Sequence, residues 1–213
     1  MYKFCLSAPD TYEELQAKIT EEGFVLFDGF EVPKEVQEQC FQVLNYIPTN
    51  PKEPNSQEIP EIPKIYYDML TASLVSKFPA MKDMTKIIWD SKIMYDGYKL
   101  NMHREYVYVD TTQQISEITP FFFITWLTPF PYDGREFVYG KLNNVADQGP
   151  LVCDGISMEG LDFDHPAVTT LGKLQPKTGM CCFVDRIDPK WWHAVSRMTA
   201  GGPVVLIGAY ILK

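Results

Sequence analysis

The sequence predicts an α+β protein in which N-terminal helices pack on one sheet of a double-stranded β-helix, or jelly-roll, core. Up to about residue 92 the apolar positions keep helical spacing, whereas the later residues form short β-rich runs separated by turn signals. About eight such runs with no helical pattern between them suit two facing antiparallel sheets. We therefore expect a single domain over residues 1–213, with a mainly helical layer at 1–92 and the jelly-roll core at 93–213.

The N-terminal layer is expected to hold helices joined by short connections. Capping residues precede the first helix, and Gly23 is expected to end it. Pro33 fits the first turn of the second helix, where its missing N–H is not needed. The expected helices cover residues 12–19, 33–44, 65–78 and 81–89, with a strand at 24–27 and an irregular proline-rich loop at 48–63.

The C-terminal part is expected to consist of strands alone. Each run is short, rich in β-branched and aromatic residues, and bounded by Gly, Pro, Asn or Asp. The expected strands cover residues 97–109, 119–128, 135–140, 150–153, 167–174, 180–185, 193–198 and 203–212.

The net charge indicates which binding partners the protein can have, and the cysteine content indicates its cellular compartment. The net charge is −9 and the isoelectric point is about 4.8. An acidic surface repels phosphates and anionic lipids, so we expect neither broad nucleic-acid binding nor membrane binding. Five cysteines, an odd number without a Cys-x-x-Cys spacing, favour reduced thiols in a cytoplasmic protein, and the adjacent Cys181 and Cys182 should face opposite ways.

Two of the three histidines lie in segments with strand character. His103 and Glu105 are two residues apart, so on a strand they project from the same face as a pair of potential metal ligands. A second imidazole from a distant strand, for which His193 is the candidate, completes a facial triad typical of non-haem Fe(II) oxygenases. The alternative is that each is a structural histidine in a half-buried strand.

Four short motifs follow one another in a distinctive order. They are His103-Arg104-Glu105, Asp133-Gly134-Arg135-Glu136-Phe137-Val138, Pro176-Lys177-Thr178-Gly179 with Phe183, and His193-Ala194-Val195. Their order resembles that of the 2-oxoglutarate- and Fe(II)-dependent dioxygenases, and within them the prolyl-4-hydroxylase-like branch. The stretch Glu22 to Phe30 is also similar to the N-terminal helix and strand of that family. The resemblance covers most of residues 12 to 212.

The resemblance implies a metal site and a co-substrate site. His103, Glu105 and His193 would be the catalytic and metal-binding residues, with Fe(II) as the metal, 2-oxoglutarate as the co-substrate and ascorbate as an optional further cofactor. The chain departs from the family at Glu105, where Asp is usual. One extra methylene moves the carboxylate roughly 1.5 Å further from the backbone, which matters for bonds near 2 Å.

A second departure concerns the residue that anchors 2-oxoglutarate. The family usually supplies Lys or Arg about ten residues after the distal histidine, where this chain has Gly202-Pro203-Val204. Arg197 is the leading substitute, since at i+4 from His193 it shares the inward face of an ideal strand. Arg135 and Lys141, on a neighbouring strand, are the alternatives. The hydroxyl of Tyr210 is a further candidate for the co-substrate carboxylate.

The function expected from these features is hydroxylation of a C–H bond by an Fe(II)- and 2-oxoglutarate-dependent dioxygenase. The acidic surface leaves a small molecule, an amino acid or a peptide as the substrate. Two alternatives stay open. One is a non-catalytic jelly-roll binding protein with a degenerate metal site, and the other is a metal-dependent jelly-roll enzyme that does not use 2-oxoglutarate.

Overall fold

The structure is a computed structural model of the chain. It describes residues 8–46, 57–58, 63–84, 86–94, 99–103, 118–127, 134, 136–144, 164–185, 188, 190–197 and 204–212.

Three α-helices precede most of the strands. They are α1 (Tyr12–Glu22), α2 (Lys34–Tyr46) and α3 (Lys64–Lys77), and a 3-10 turn at Pro79–Met81 follows α3. A capping box between Thr11 and Glu14 begins α1, and Gly23 ends it in the left-handed conformation with a φ of 78°. The predicted end of the first helix at Gly23 is therefore confirmed. No helix among the described residues is long and apolar enough to cross a bilayer.

The strands form two antiparallel sheets. The larger sheet has the order β1-β8-β5-β10-β3-β2 and the smaller sheet β4-β9-β6-β7. The larger sheet contains β1 (Phe24–Phe27), β2 (Gln57–Glu58), β3 (Lys86–Met94), β5 (Ile118–Trp126), β8 (Cys181–Asp185) and β10 (Val204–Leu212). The smaller sheet contains β4 (Leu100–His103), β6 (Phe137–Leu142), β7 (Val168–Leu174) and β9 (Trp191–Val195).

The expected helix at 81–89 is wrong, because Met81 ends a 3-10 turn and the residues from Lys86 onward belong to β3. This strand pairs with β10 over its whole length, from Lys86↔Leu212 to Met94↔Val204. A continuous antiparallel ladder with a partner more than a hundred residues away outweighs a local helical pattern. β3 also crosses the boundary expected at 92/93, and β2 lies inside the segment expected to be a loop. The expected strand at 150–153 lies outside the described residues.

One core lies between the helices and the larger sheet, and it is built on aromatic rings. Phe183 of β8 is fully buried, and several other phenylalanine rings surround it. The ring centroids of Phe78, Phe123 and Phe121 lie 5.0, 5.1 and 5.4 Å from it. Edge-to-face contacts of this kind add to the burial of apolar area. The N-terminal helices thus pack on one sheet, as the sequence predicts.

A second core lies between the two sheets, so both faces of β8 are covered. Cys181 and Phe183 belong to the core under the helices, whereas Cys182 and Val184 belong to the core between the sheets. The two adjacent cysteines therefore face opposite ways, as predicted. All five residues of β8 are buried, which makes this strand the centre of the fold.

Replacing Phe183 with Ala should destabilise the protein strongly. The change removes a ring that four other phenylalanines contact and leaves a cavity, at a cost of about 3–5 kcal/mol. Leu171→Ala on β7 is the control, because Leu171 is 44% exposed and its loss should cost less than ~0.5 kcal/mol. Urea unfolding followed by circular dichroism measures both, and equal costs for the two variants would contradict the packing described.

The described cysteines should be unreactive in the folded protein. Burial raises the pKa of the Cys40 thiol to about 12 and raises the pKa values of Cys181 and Cys182 as well. These thiols therefore stay protonated at pH 8, and the thiolate is the reactive form. Peptide mapping after iodoacetamide treatment should find all three unmodified in the native protein and modified in urea. Rapid native labelling of Cys182 would show that β8 is not buried on both faces.

Candidate functional site

The two histidines predicted as metal ligands are direct neighbours across two strands. His103 ends β4, and its antiparallel register partner on β9 is His193. Directly opposed residues of an antiparallel pair lie on the same face of the sheet, with Cβ atoms about 4.5–5.5 Å apart. A bulge between Leu100 and His103 adjusts the register just before this pair. The chain thus brings together two positions that lie 90 residues apart in the sequence (193 − 103).

The face that carries the histidine pair is the one turned toward the larger sheet. Trp192 and Ala194, on either side of His193, belong to a cluster on the outer face of the smaller sheet, and so does Met102. Successive strand residues alternate between faces, so His103 and His193 occupy the inner face. That face meets the core between the sheets, and His193 is buried there.

The imidazole of His193 is almost fully enclosed, with 3% of its surface exposed. It stacks on the ring of Phe137 from β6, with centroids 5.5 Å apart and planes inclined by 26°. Stacking on a buried ring limits the orientations that the imidazole can adopt. His193 therefore has a defined orientation that does not depend on solvent.

Hydrogen bonds of Asp185 and Asp188 set the position at which β9 begins. The carboxylate of Asp185, itself 3% exposed, accepts a hydrogen bond from the backbone N–H of Asp188 at 2.7 Å. The carboxylate of Asp188 in turn accepts from the backbone N–H of Lys190 at 3.0 Å. The backbone N–H of Trp191 donates to the carbonyl of Asp188. These bonds fix the residues that lead into the inner-face positions Trp191 and His193.

A small cleft opens beside His193. Aromatic side chains and two glycines, from the end of α1 and from β1, β6 and β9, make up most of its walls. The lining residues are Gly23, Phe24, Phe137, Tyr139, Gly140, Val184, Trp191, Trp192 and His193. The rings of Phe24 and Tyr139 lie 4.1 Å apart. Burial, assisted by the negative charge of Glu22, raises the pKa of the Tyr139 phenol, so this hydroxyl stays protonated.

Trp191 has two unusual features in this cleft. Its indole lies so close to Gly23 that a Cβ built on that glycine would be 2.3 Å from Cδ2 of the ring. Its Nε1–H is buried and has no hydrogen-bond acceptor among the described residues. The glycine at the end of α1 thus makes room for the indole.

The other residues predicted for the site do not all lie beside the histidine pair. Arg197 is exposed and lies beyond the end of β9, which stops at Val195. Lys141 is exposed on β6, opposite Trp191. The backbone of Tyr210 lies on β10 opposite Phe122, whose side chain belongs to the core between the sheets. Glu105 and Arg135 lie outside the described residues.

The residues at this face fit a transition metal such as Fe(II). Imidazole nitrogens are ligands that such a metal prefers, and the register pair His103↔His193 brings two histidine positions together. Within the described part of the chain, no three His, Cys, Asp or Glu side chains come together as a ready metal cluster. The carboxylate proposed from the sequence, Glu105, is not among those residues.

Sequence reasoning missed the residues that shape the cleft. Strand parity alone places Trp191 on the same face as His193, two residues away, so that signal was available in the sequence. Tyr139 belongs to the run after the Asp133–Val138 motif, and its register partner is His193. The contact between Gly23 and Trp191 joins residues 168 positions apart (191 − 23) and has no local signature.

Solved structures with similar folds come from one class of enzymes. A 2OG-Fe(II) oxygenase family oxidoreductase from Burkholderia pseudomallei aligns with a TM-score of 0.52 at 10% identity, covering 100% of this chain and 95% of that one. A Pseudomonas putida prolyl-4-hydroxylase aligns with a TM-score of 0.52 at 11% identity, covering 95% and 99%. HygX from Streptomyces hygroscopicus, bound to nickel, 2-oxoglutarate and hygromycin B, aligns with a TM-score of 0.55 at 12% identity, covering 94% and 86%.

The chain therefore has the fold of the 2-oxoglutarate- and Fe(II)-dependent oxygenases, and the resemblance found in its motifs is confirmed at the level of the fold. Prolyl-4-hydroxylases are among the proteins that share it. Neither the family models nor the curated proteins give a match to the sequence.

Gly23→Ala should destabilise the protein more than Gly29→Ala. Both glycines have positive φ, 78° and 72°, so each substitution carries a conformational cost of about 1–2 kcal/mol. Only at Gly23 does the new methyl also collide with Trp191, whereas at Gly29 its nearest neighbour is Lys77 Nζ at 3.5 Å. The overpacking should add about 1–3 kcal/mol in urea unfolding. Equal losses for the two variants would contradict the contact between Gly23 and the indole.

Proposed function

We propose that this chain is an Fe(II)- and 2-oxoglutarate-dependent dioxygenase that hydroxylates a C–H bond of a small molecule, an amino acid or a peptide. The observation that carries the proposal is the register pair His103↔His193 on the inner face of the smaller sheet. The shared fold with oxygenases of this class supports it, although a fold by itself hosts many functions.

The strand order supports a jelly-roll core for this chain. Numbering β3 to β10 from one to eight gives the order 6-3-8-1 in the larger sheet and 2-7-4-5 in the smaller one. Sequential strands thus alternate between the two sheets for most of the chain, as two interleaved Greek keys require. In such a fold, the second and seventh strands are neighbours, which is the pairing that joins the two histidines.

His103, Glu105 and His193 would hold the metal. The two imidazoles come from facing positions, and Glu105 follows His103 by two residues, the spacing that keeps strand residues on one face. With 2-oxoglutarate, bound Fe(II) supplies the activation of O2 needed to hydroxylate an unactivated C–H bond. The chain's own contribution is to orient the ligands, hold the substrate and exclude water.

The orientation of His193 is the clearest of these contributions. Phe137 stacks on the imidazole, and the hydrogen bonds among Asp185, Asp188 and Lys190 fix the start of its strand. Ligands that are already aligned lose little entropy when a metal binds. Phe137 is therefore a positioning residue for the metal ligand and does not itself take part in the chemistry.

Tyr210, Arg197 and Arg135 are the candidates for binding the far carboxylate of 2-oxoglutarate. Tyr210 is opposite Phe122, so its backbone position belongs to the row of β10 that faces the smaller sheet. Arg197 follows the buried Ser196, whose hydroxyl accepts a hydrogen bond from the backbone N–H of Glu136 at 2.9 Å. This bond holds the chain next to Arg197, but the exposure of Arg197 favours Tyr210 as the inward group.

The substrate class follows from charge and from the related folds. A net charge of −9 disfavours polyanionic substrates and broad nucleic-acid binding. The structure of HygX contains hygromycin B, a small molecule, and the P. putida protein is a prolyl-4-hydroxylase. Both are compatible with a small molecule, an amino acid or a peptide as the substrate here. We further propose that the protein acts in the cytoplasm.

His193→Ala should abolish the conversion of 2-oxoglutarate to succinate in the presence of Fe(II) and air. Losing an outer partner of a metal ligand costs 10–100-fold, so losing a ligand should lower the rate by more than ~100-fold. His165→Ala is the matched control, because His165 is exposed on the turn before β7 and should leave the rate unchanged. Succinate is measured by chromatography for both variants and the unchanged protein.

Two results would refute the proposal. Succinate formation that survives in His193→Ala would remove His193 from the site. A protein that binds Fe(II) but never consumes 2-oxoglutarate would instead be a metal-dependent jelly-roll enzyme of another kind, and one that binds neither would be a non-catalytic binding protein.

A further inference from the structure

Four residues join the end of α1 to the start of β9 through a closed set of contacts. The backbone N–H of Asp185 donates to the carbonyl of Gly23 at 2.7 Å. The Asp185 carboxylate accepts from the N–H of Asp188 at 2.7 Å, and the Asp188 carbonyl accepts from the N–H of Trp191 at 3.2 Å. The indole of Trp191 lies against Gly23, which closes the set. We call these four residues the α1–β9 link.

Asp185 is the member of the link whose side chain makes one of its hydrogen bonds. The other two hydrogen bonds run between backbone groups, and the fourth contact is the packing of the indole on Gly23. Asp185 is the last residue of β8 and is almost fully buried. A buried carboxyl group needs hydrogen bonds in place of those it would make with water. The bond to Asp188 therefore supports the burial of Asp185 and also ties β8 to the chain that leads into β9.

The link ends two residues before the proposed metal ligand. Trp191 and His193 lie on the same face of β9 with one residue between them, a separation of roughly 7 Å along the strand. Beyond the other end of β9, the backbone N–H of Ser196 donates to the carbonyl of Glu136. A metal–nitrogen bond tolerates a displacement of only about 0.2 Å. A small shift at the start of β9 is therefore enough to misplace the imidazole.

We infer that Asp185 is a positioning residue for the metal ligand His193 and acts by joining the end of α1 to the start of β9. This inference rests on the proposed function, because that function makes His193 a ligand. It adds a coupling between the metal site and a helix end that precedes His193 by 170 positions (193 − 23). Such a coupling is reciprocal, so a metal bound at His193 stabilises the link in turn.

The test measures the affinity of the protein for Zn(II) alone, a metal that takes histidine and carboxylate ligands. Isothermal titration calorimetry gives the dissociation constant for the unchanged protein and for two matched pairs of variants. One pair is Asp185→Ala and Asp185→Asn, and the other is Gly23→Ala and Gly29→Ala. Circular dichroism establishes that each variant is folded at the temperature of the titration, because a loss of stability does not change the metal affinity of molecules that stay folded.

Asp185→Ala should weaken Zn(II) binding by about 10-fold, the low end of the range for groups that orient a metal ligand. Asp185→Asn keeps a side-chain oxygen that accepts the Asp188 N–H, so it should restore most of the affinity. Gly23→Ala should also weaken binding, because its methyl displaces the indole. Gly29→Ala has a similar positive φ without that collision and should bind Zn(II) like the unchanged protein.

Hydrogen exchange on the unchanged protein tests the reciprocal effect and needs no variant of Asp185 to fold. Saturating Zn(II) should slow exchange of the backbone N–H groups of Asp185 and Trp191, which both donate within the link. The N–H of Phe30 is the control, because it donates to the carbonyl of Gly179 at 2.9 Å outside the link. Its exchange should stay the same.

The inference is overturned if Asp185→Ala binds Zn(II) as tightly as the unchanged protein, or if Asp185→Asn loses as much affinity as Asp185→Ala. Equal losses for Gly23→Ala and Gly29→Ala, or exchange at Asp185 and Trp191 that ignores Zn(II), would also overturn it. His193→Ala separates this inference from the proposed function. If that variant binds Zn(II) as the unchanged protein does, the proposed metal site fails and the inference fails with it. If binding requires His193 but not Asp185, the inference alone fails.

Discussion

The antiparallel pairing of β4 with β9 is the interaction on which the site depends. It sets His103 opposite His193, and the alternation of strand residues then decides that both lie on the inner face. A slip of one residue in β9 would exchange His193 for Trp192 or Ala194, which now pack outside the smaller sheet. Those two residues are 2% and 0% exposed in the outer cluster, so the slip would remove them from that packing as well as dismantle the site. The packing that stabilises the sheet thus also selects the register that brings the histidines together.

The buried strand β8 and the end of α1 support the strand that carries His193. β8 is buried on both faces, between the aromatic core under the helices and the core between the sheets. Its last residue, Asp185, begins the turn that leads to β9, and the Asp185 backbone N–H donates to Gly23 at the end of α1. The helix end, the central strand and the histidine strand are therefore joined by short hydrogen bonds. Tyr139, Phe137 and Trp191 then line the space next to His193.

Local sequence patterns predicted the positions of most strands and the sheet face of His193. They did not predict strand pairing or register, which depend on contacts between distant parts of the chain. Short β-rich runs bounded by turn residues predicted β5, β7, β8 and β10 closely, and Gly23 marked the end of α1. The prediction of a helix at 81–89 is wrong. The ladder that β3 forms with β10 has no local signature in the sequence. The inward position expected for Arg197 assumes that the strand continues, and β9 ends at Val195. Parity identified the face of His193 but not its partner, since register is set across 90 residues of chain (193 − 103).

We propose that the facing histidines hold one metal that also binds 2-oxoglutarate. Visible absorption of the anaerobic protein with Fe(II), titrated with 2-oxoglutarate, checks this, because a charge-transfer band arises only when both are bound together. We expect a weak band that saturates at one metal per chain and is absent from His193→Ala. No band in the unchanged protein, or an equal band in the variant, would contradict it.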